Sequence, residues 1–155
     1  MVTVAETRER QRKWDLRFLE MARLVSTWSK DPSTKCGAVI CDPSYRVVSV
    51  GFNWYPRGVP DDSSLHVREE KYLKVIHGEI NSILFSRRDL FGCTIFVYPL
   101  PPCSQCMASI IQSGISRVVT VEPSTSLKER WGASNKIAQE MAENAGVIFS
   151  VIELI

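Results

Sequence analysis

The sequence predicts an α/β fold, a three-layer α/β/α sandwich around a mixed sheet of five strands. Two patterns lead to it. Short β-branched runs alternate with segments of helical period through the second half of the chain, and the first two strands read as a hairpin that makes part of the sheet antiparallel. At 155 residues, 45% hydrophobic and 23% charged, the chain is expected to form one domain over 1–155 with apolar material enough for a core. That composition excludes intrinsic disorder and any need for disulfide staples.

Trp14, Phe18, Met21, Ala22, Val25 and Trp28 recur at steps of three and four, which predicts a helix over Arg12 to Trp28, stopped by Asp31-Pro32-Ser33. Cys36 to Cys41 and Arg46 to Phe52 are β-branched runs on either side of the turn tetrapeptide Asp42-Pro43-Ser44-Tyr45. Asn53 to Ser64, with two prolines, one glycine and paired aspartates, is a long loop of the kind that carries function. A surface helix over Leu65 to Val75 and a helix over Gly78 to Arg88 come next, then a strand at Thr94 to Tyr98. Pro101-Pro102 halts that strand, and a helix from Cys103 to Gln112 ends at Gly114. A strand at Ser116 to Val121, a helix at Ala133 to Ala145 closed by Gly146, and a strand at Val147 to Ile152 complete the chain.

The net charge, 19 − 17 = +2, is too weak to nominate a polynucleotide partner. Arg8, Arg10, Arg12 and Lys13 are interleaved with Glu6, Glu9 and Asp15 and read as a solvated helix start. No apolar run approaches the roughly 18 residues of a membrane span, and the charged first thirty residues hold no secretory pattern. Five cysteines, an odd number, point to reduced thiols or metal ligands and so to the cytoplasm.

Two short motifs carry chemistry, His77-Gly78-Glu79 and Pro102-Cys103-Ser104-Gln105-Cys106. Cys103 and Cys106 fall three apart on the first turn of a helix, so both sulfurs face one way and the helix N-terminus favours their thiolates. They form a ready zinc-binding pair, yet Cys-x-x-Cys alone is ambiguous. A closed structural site needs two more thiolates or imidazoles at comparable spacing, and Cys36, Cys41, Cys93, His66 and His77 form no second pair. A three-ligand site from His77, Cys103 and Cys106, with one tetrahedral position open for water, fits better and marks a catalytic zinc. Glu79, two residues from a ligand at a helix start, then reaches the water without binding the metal. Two thiolates and a neutral imidazole leave the zinc formally neutral and a weaker Lewis acid, so a proton acceptor beside the water becomes more useful.

With both motifs placed, H-x-E followed by P-C-x-x-C resembles the signature of zinc-dependent nucleobase deaminases. From Trp14 to Val151 the chain is similar to the cytidine and deoxycytidylate deaminase superfamily, and most like its deoxycytidylate deaminases. Ser29-Lys30-Asp31-Pro32-Ser33-Thr34-Lys35-Cys36-Gly37-Ala38-Val39-Ile40 resembles that family's first-strand motif, with Cys36 where Val is common. Gly51-Phe52-Asn53 and Pro56-Arg57-Gly58 resemble its G-Y-N-G-x-P-x-G loop, and Arg68-Glu69-Glu70-Lys71-Tyr72 through Asn81 and Phe85 resembles its approach to the zinc helix.

The resemblance implies one Zn²⁺ per chain held by His77, Cys103 and Cys106, with Glu79 as proton shuttle. Hydroxide attacks C4 of cytosine, Glu79 protonates N3 and then the departing amine, and dUMP for thymidylate synthesis leaves with ammonia. It further implies substrate contacts from Asn53, from the backbone of Gly78, and from Thr34 and Lys35 on the phosphate side. Subunit contacts fall at Phe85 and Arg88, in a homo-oligomer that is a hexamer by analogy. Gly78 stands where Ala is usual, which is expected to loosen the helix start by up to about 1 kcal/mol and to widen the base pocket. Regulated members hold a dCTP or dTTP effector, with Mg²⁺, in the loop where Trp54 here replaces a glycine, which speaks against that control.

Plainer readings accompany these. Cys36, Cys41 and Cys93 sit in apolar strand contexts as small buried hydrophobes, and His66 reads as solvent-facing. Trp14, Trp28 and Trp131 read as core or interface aromatics. The rival function is a polynucleotide-editing deaminase acting on tRNA adenosine or cytidine, which shares both motifs. It wants a basic stripe and exposed aromatics along a groove, for which a charge of +2 offers little. The pyrimidine deaminase of riboflavin synthesis usually comes fused to a reductase, for which 155 residues leave no room.

Overall fold

Alternation along three central strands separates two apolar cores. The computed structural model describes residues 1–61 and 68–154. Its elements are α1 (Val4–Ser26), β1 (Gly37–Cys41), β2 (Val47–Phe52), α2 (Arg68–Lys74), α3 (Gly78–Ser86), β3 (Thr94–Tyr98), α4 (Ser104–Gln112), β4 (Arg117–Val121), α5 (Thr125–Ala145) and β5 (Ile148–Ile152). Val39, Phe96 and Val119 face one way, onto Phe18, Leu19, Ala22 and Val25 of α1. Ala38, Ile40, Ile95, Val97 and Val118 face the other, onto Met107 and Ile110 of α4 and Ala138 and Ala142 of α5. Strands covered on both sides read as continuous apolar runs, and helices on both sides give the three layers expected.

The sheet runs β2-β1-β3-β4-β5. β1 is antiparallel to both β2 and β3, whereas β3, β4 and β5 are mutually parallel, so the sheet is mixed. Gly37 pairs with Phe52 on one side and Tyr98 on the other. The start of β1 and the ends of β2 and β3 therefore lie at one end of the sheet, and Cys36, Asn53 and the Pro99–Cys103 connection gather there. Parallel strands of this kind present their ligand site beyond their C-terminal ends.

Three boundaries and one environment differ from expectation for identifiable reasons. α1 begins at Val4, with Thr3 as N-cap in a capping box with Glu6. Its first ten residues are exposed all round, so no apolar period announces them. It stops at Ser26, leaving Trp28 in the following turn, edge-on to Phe52. α5 begins at Thr125, capped by Ser124, eight residues before the expected start, because its first two turns bury no side chain fully. α2 is not a pure surface helix, since Lys71 is 3% exposed. His66 and the first residues of the helix expected over 65–75 lie outside the described residues.

Two glycines set how closely the helices approach the sheet. A Cβ on Gly37 would collide with the backbone of Ala22 and Ser26 on α1, and one on Gly51 with the backbone of Gly78 and Ser82 on α3. Any side chain at Gly51 would lift α3, and the functional residues at its start, off β2.

Candidate active site

Each chemical motif begins a helix. His77 is the N-cap of α3 and Cys103 the N-cap of α4, where its sulfur accepts from the Cys106 amide at 3.5 Å. These starts bring His77 Nδ1 within 3.5 Å of Cys103 Sγ and 3.3 Å of Cys106 Sγ. All three ligand atoms lie within 4.8 Å of one another, the sole such group of His, Cys, Asp or Glu among the described residues. The donor set fits zinc: Zn–S bonds of about 2.3 Å and Zn–N bonds of about 2.0 Å at tetrahedral angles separate S from N by about 3.5 Å.

Electrostatics prepare the ligands unequally. Hydrogen bonding from the Cys106 thiol, reinforced by His77 and by the Cys106 amide, brings Cys103 down to about 4 against the opposing effect of burial. The same contact with Cys103, together with burial, pushes Cys106 up. His77 is raised, chiefly by its hydrogen bond with Cys103. Glu79, 5% exposed, is raised by burial, with His77 pulling the other way. Its carboxyl group shares the cavity with His77 and Cys103 and is hydrogen-bonded to Cys106.

One cavity contains His77, Glu79 and Cys103 and is walled by Asp31, Thr34, Cys36, Asn53, Lys71, Tyr72, Arg130 and Trp131 among others. Asn53 holds one wall together: its Oδ1 accepts from the Cys36 amide at 2.8 Å and its Nδ2 donates to the Thr34 carbonyl at 2.9 Å. Asp31, also buried, accepts from the Ser33 amide at 2.8 Å, the Thr34 amide at 3.3 Å, Asn53 Nδ2 at 3.3 Å and Lys71 Nζ at 3.0 Å. The loop from Asp31 to Cys36 is thus fixed by polar contacts that centre on buried Asp31 and Asn53.

The sequence-derived residues divide. His77, Glu79, Cys103, Asn53 and Thr34 line the cavity, with Cys106 directly behind. Lys35 does not; its amine turns back to donate to the Ser29 carbonyl at 2.5 Å. Gly78 does not widen the pocket as expected, because a Cβ there would point at Gly51 O, 3.2 Å away, and Phe52 Cα, 3.3 Å away, on β2. Phe85 is exposed, with Arg57 over its ring at 5.9 Å, and exposed Arg88 donates to the Asp89 carbonyl at 3.1 Å. Trp54 is buried, stacks on Tyr55 at 4.7 Å and donates from Nε1 to Asp61 at 2.7 Å.

Sequence reasoning missed Arg130, Trp131 and Lys71. Trp131, taken for a core or interface aromatic, lines the cavity with its ring edge-on to His77 at 6.2 Å. Cys36, taken for a buried hydrophobe, lines it too, whereas Cys41 and Cys93 are buried. The early start of α5 was the missing signal: Ser124, three residues before Leu127, is a helix cap that places Arg130 and Trp131 on a helix.

Residues 12–122 match the family described as the cytidine and deoxycytidylate deaminase zinc-binding region. The chain belongs to the cytidine and deoxycytidylate deaminase family. It is 52% identical over 135 residues to an uncharacterized deaminase from the luxG 3′ region of Aliivibrio fischeri, spanning 87% of this chain and 90% of that one. It is 41% identical over 111 residues to a probable deoxycytidylate deaminase of Caenorhabditis elegans, spanning 68% of this chain and 56% of the relative. The deaminase fold is shared with the dCMP deaminase of cyanophage S-TIM5 in complex with dCMP and dUMP, at a TM-score of 0.72 and 21% identity over 88% of this chain and 94% of that one. No helix among the described residues is long and apolar enough to cross a membrane.

Proposed function

We propose that this deaminase converts dCMP to dUMP and ammonia by zinc-dependent hydrolysis. The observation that carries the reading is the convergence of His77, Cys103, Cys106 and buried Glu79 on one cavity. Zinc, which His77, Cys103 and Cys106 would hold, would supply Lewis acidity to activate water. Glu79 takes a proton from the attacking water as its oxygen adds to C4 of the cytosine and delivers it to N3. It then carries the second proton to the amine, the C4–N bond breaks, and ammonia departs. A carboxyl group raised by burial suits a step in which it must both accept and return a proton. Asn53 and Thr34 face the sugar and phosphate side, and the Gly78 backbone meets the base.

Named relatives support the substrate: the nematode protein is named a probable deoxycytidylate deaminase, and the human protein, 34% identical over 114 residues, a deoxycytidylate deaminase. The polynucleotide-editing alternative gains nothing from a net charge of +2. A reducing, cytoplasmic setting suits five unpaired cysteines. A homo-oligomer with contacts at Phe85 and Arg88 belongs to the same reading, whereas Trp54, where regulated members carry glycine, speaks against an Mg²⁺-bound dCTP or dTTP effector. Light scattering tests the first, and a hyperbolic dCMP curve unmoved by either triphosphate removes the second.

The test is ammonia release from zinc-replete protein offered dCMP, CMP, deoxycytidine, dCTP and a deoxycytidine oligonucleotide in parallel, with Glu79→Gln as control. The expected result is fastest turnover of dCMP, and a control that keeps its zinc while losing about 10²- to 10⁴-fold in rate. Turnover of the oligonucleotide alone, or an undiminished Glu79→Gln, would overturn the proposal.

A further inference from the structure

The three metal ligands are oriented by different means. His77 is held by backbone alone: the Ile76 carbonyl before it accepts from the Trp54 amide at 3.2 Å, and its own carbonyl accepts from the Asn81 amide at 3.0 Å. Cys106 lies within the first turn of α4. Cys103 stands ahead of that helix, on the connection from β3, and side chains of α5 grip the chain on both sides of it. Asn135 spends its two Nδ2 hydrogens on the Pro101 carbonyl at 3.1 Å and the Pro102 carbonyl at 3.2 Å. Both prolines are buried, and among the described residues no other hydrogen bond is made to either carbonyl. Ser134 Oγ accepts from the Ser104 amide at 2.9 Å, which answers the first orphan donor of α4, and donates to Ser104 Oγ at 3.3 Å.

We infer that Ser134 and Asn135 are positioning residues for the metal site, clamping the peptide planes before and after Cys103 and so fixing the direction of its sulfur. The plane before Cys103 is held through the Pro102 carbonyl by Asn135. The plane after it is held through its amide by Ser134 and through its carbonyl by the Met107 amide at 2.9 Å. Two fixed planes set the Cα–Cβ direction between them, and the proline rings remove the remaining φ freedom upstream. Trp131, which lies edge-on to His77, stands one turn before Asn135, so one face of α5 meets both halves of the ligand set. The inference rests on the reading of His77, Cys103 and Cys106 as zinc ligands.

The experiment measures zinc release from loaded protein into excess chromogenic chelator for wild type, Asn135→Leu, Ser134→Ala, Ser134→Thr and Ala142→Gly. Asn135→Leu keeps the size and removes the donors, and Ser134→Thr keeps the hydroxyl. Ala142→Gly loosens α5 in the core, where Ala142 is fully buried, without touching the clamp. Asn135→Leu and Ser134→Ala are expected to release zinc about 10- to 100-fold faster, the usual effect of losing a group that orients a metal ligand. Ser134→Thr and Ala142→Gly should release it at the wild-type rate, although Ala142→Gly melts earlier. In cobalt-loaded protein the thiolate-to-metal absorption should change in Asn135→Leu and stay unchanged in Ala142→Gly. Wild-type release from both Asn135→Leu and Ser134→Ala overturns the inference and leaves the zinc site standing. Equal acceleration in Ala142→Gly also overturns it, since that traces the effect to general loosening of α5. Where Asn135→Leu fails to fold, Ser134→Ala set against Ser134→Thr decides. A wild type that retains no zinc removes the reading beneath as well.

Discussion

Lys71→Met separates the buried Asp31–Lys71 pair most informatively. The two side chains are 4% and 6% exposed and 3.0 Å apart, so solvent screens them little. At an effective dielectric of about 20, their attraction over 3.0 Å is about 5.5 kcal/mol before desolvation. Desolvation of both ions offsets most of that, so the pair itself adds little net stability. Removing one partner is different, because it strands the other charge, at a cost of about 3–5 kcal/mol. Asp31 would keep the Ser33 and Thr34 amides and Asn53 as donors, which places Lys71→Met at the lower end, about 3 kcal/mol.

For a chain of this size, each kcal/mol moves the melting temperature by about 2–4 °C, so thermal unfolding of Lys71→Met should fall by about 6–12 °C. Asp31→Asn combined with Lys71→Met leaves no stranded charge and should melt above Lys71→Met alone. A Lys71→Met variant melting within about 2 °C of wild type, or single effects that simply add in the double variant, would refute the reasoning. Because Asp31 also shapes the cavity loop through Ser33 and Thr34, KM for dCMP should rise in Lys71→Met while zinc content holds.

Loading zinc into metal-free protein at pH 7 should release about one to two protons, read by calorimetry in buffers of different ionisation enthalpy. Cys106, pushed above the ordinary thiol range, still carries its proton there and His77 is raised, whereas Cys103, at about 4, is ionised, so affinity should fall as pH drops. Release of about three would show that Cys103 is not ionised in advance. Gly51→Ala should destabilise the protein and impair zinc retention, because its Cβ meets the backbone at the start and middle of α3. Gly78→Ala, whose Cβ has 3.2 Å to its nearest neighbour, should shift stability by no more than about 1 kcal/mol and leave the cavity unchanged. Circular dichroism melts and zinc titration check both.

The layers, the strand order along the chain and the metal ligands were legible because each rests on a local signal. β-Branched runs mark β1, β3 and β4, and the ligands lie in two short motifs at helix starts. What escaped was whatever depends on long-range packing. Lys71 sits in a charged stretch and reads as solvated, and only Asp31, forty residues earlier, gives it a reason to be buried. Arg130 and Trp131 stand on helical turns whose apolar face is only Leu127 and Trp131, too short a run for the 3.6-residue period to announce them, although the cap at Ser124 does. The widening expected at Gly78 is absent because its Cβ direction is set by the packing of α3 against β2, which no local signal shows.

The site owes its geometry to two helix starts meeting, and that explains why backbone matters in it as much as side chains. Both N-termini carry partial positive charge toward the ligand atoms, favouring thiolates at Cys103 and Cys106 and anions nearby. The ligand atoms come from helices anchored on different strands, α3 against β2 through Gly51 and α4 directly following β3. A small slide of α3 along β2 would move His77 and Glu79 together, keeping their mutual spacing but opening the 3.3 Å and 3.5 Å separations from the two sulfurs. Metal affinity is therefore expected to be the first property lost when that packing is disturbed. Glu79→Gln instead leaves every ligand in place and should impair turnover alone. The two kinds of variant thus distinguish the frame that sets the site from the group that moves the proton.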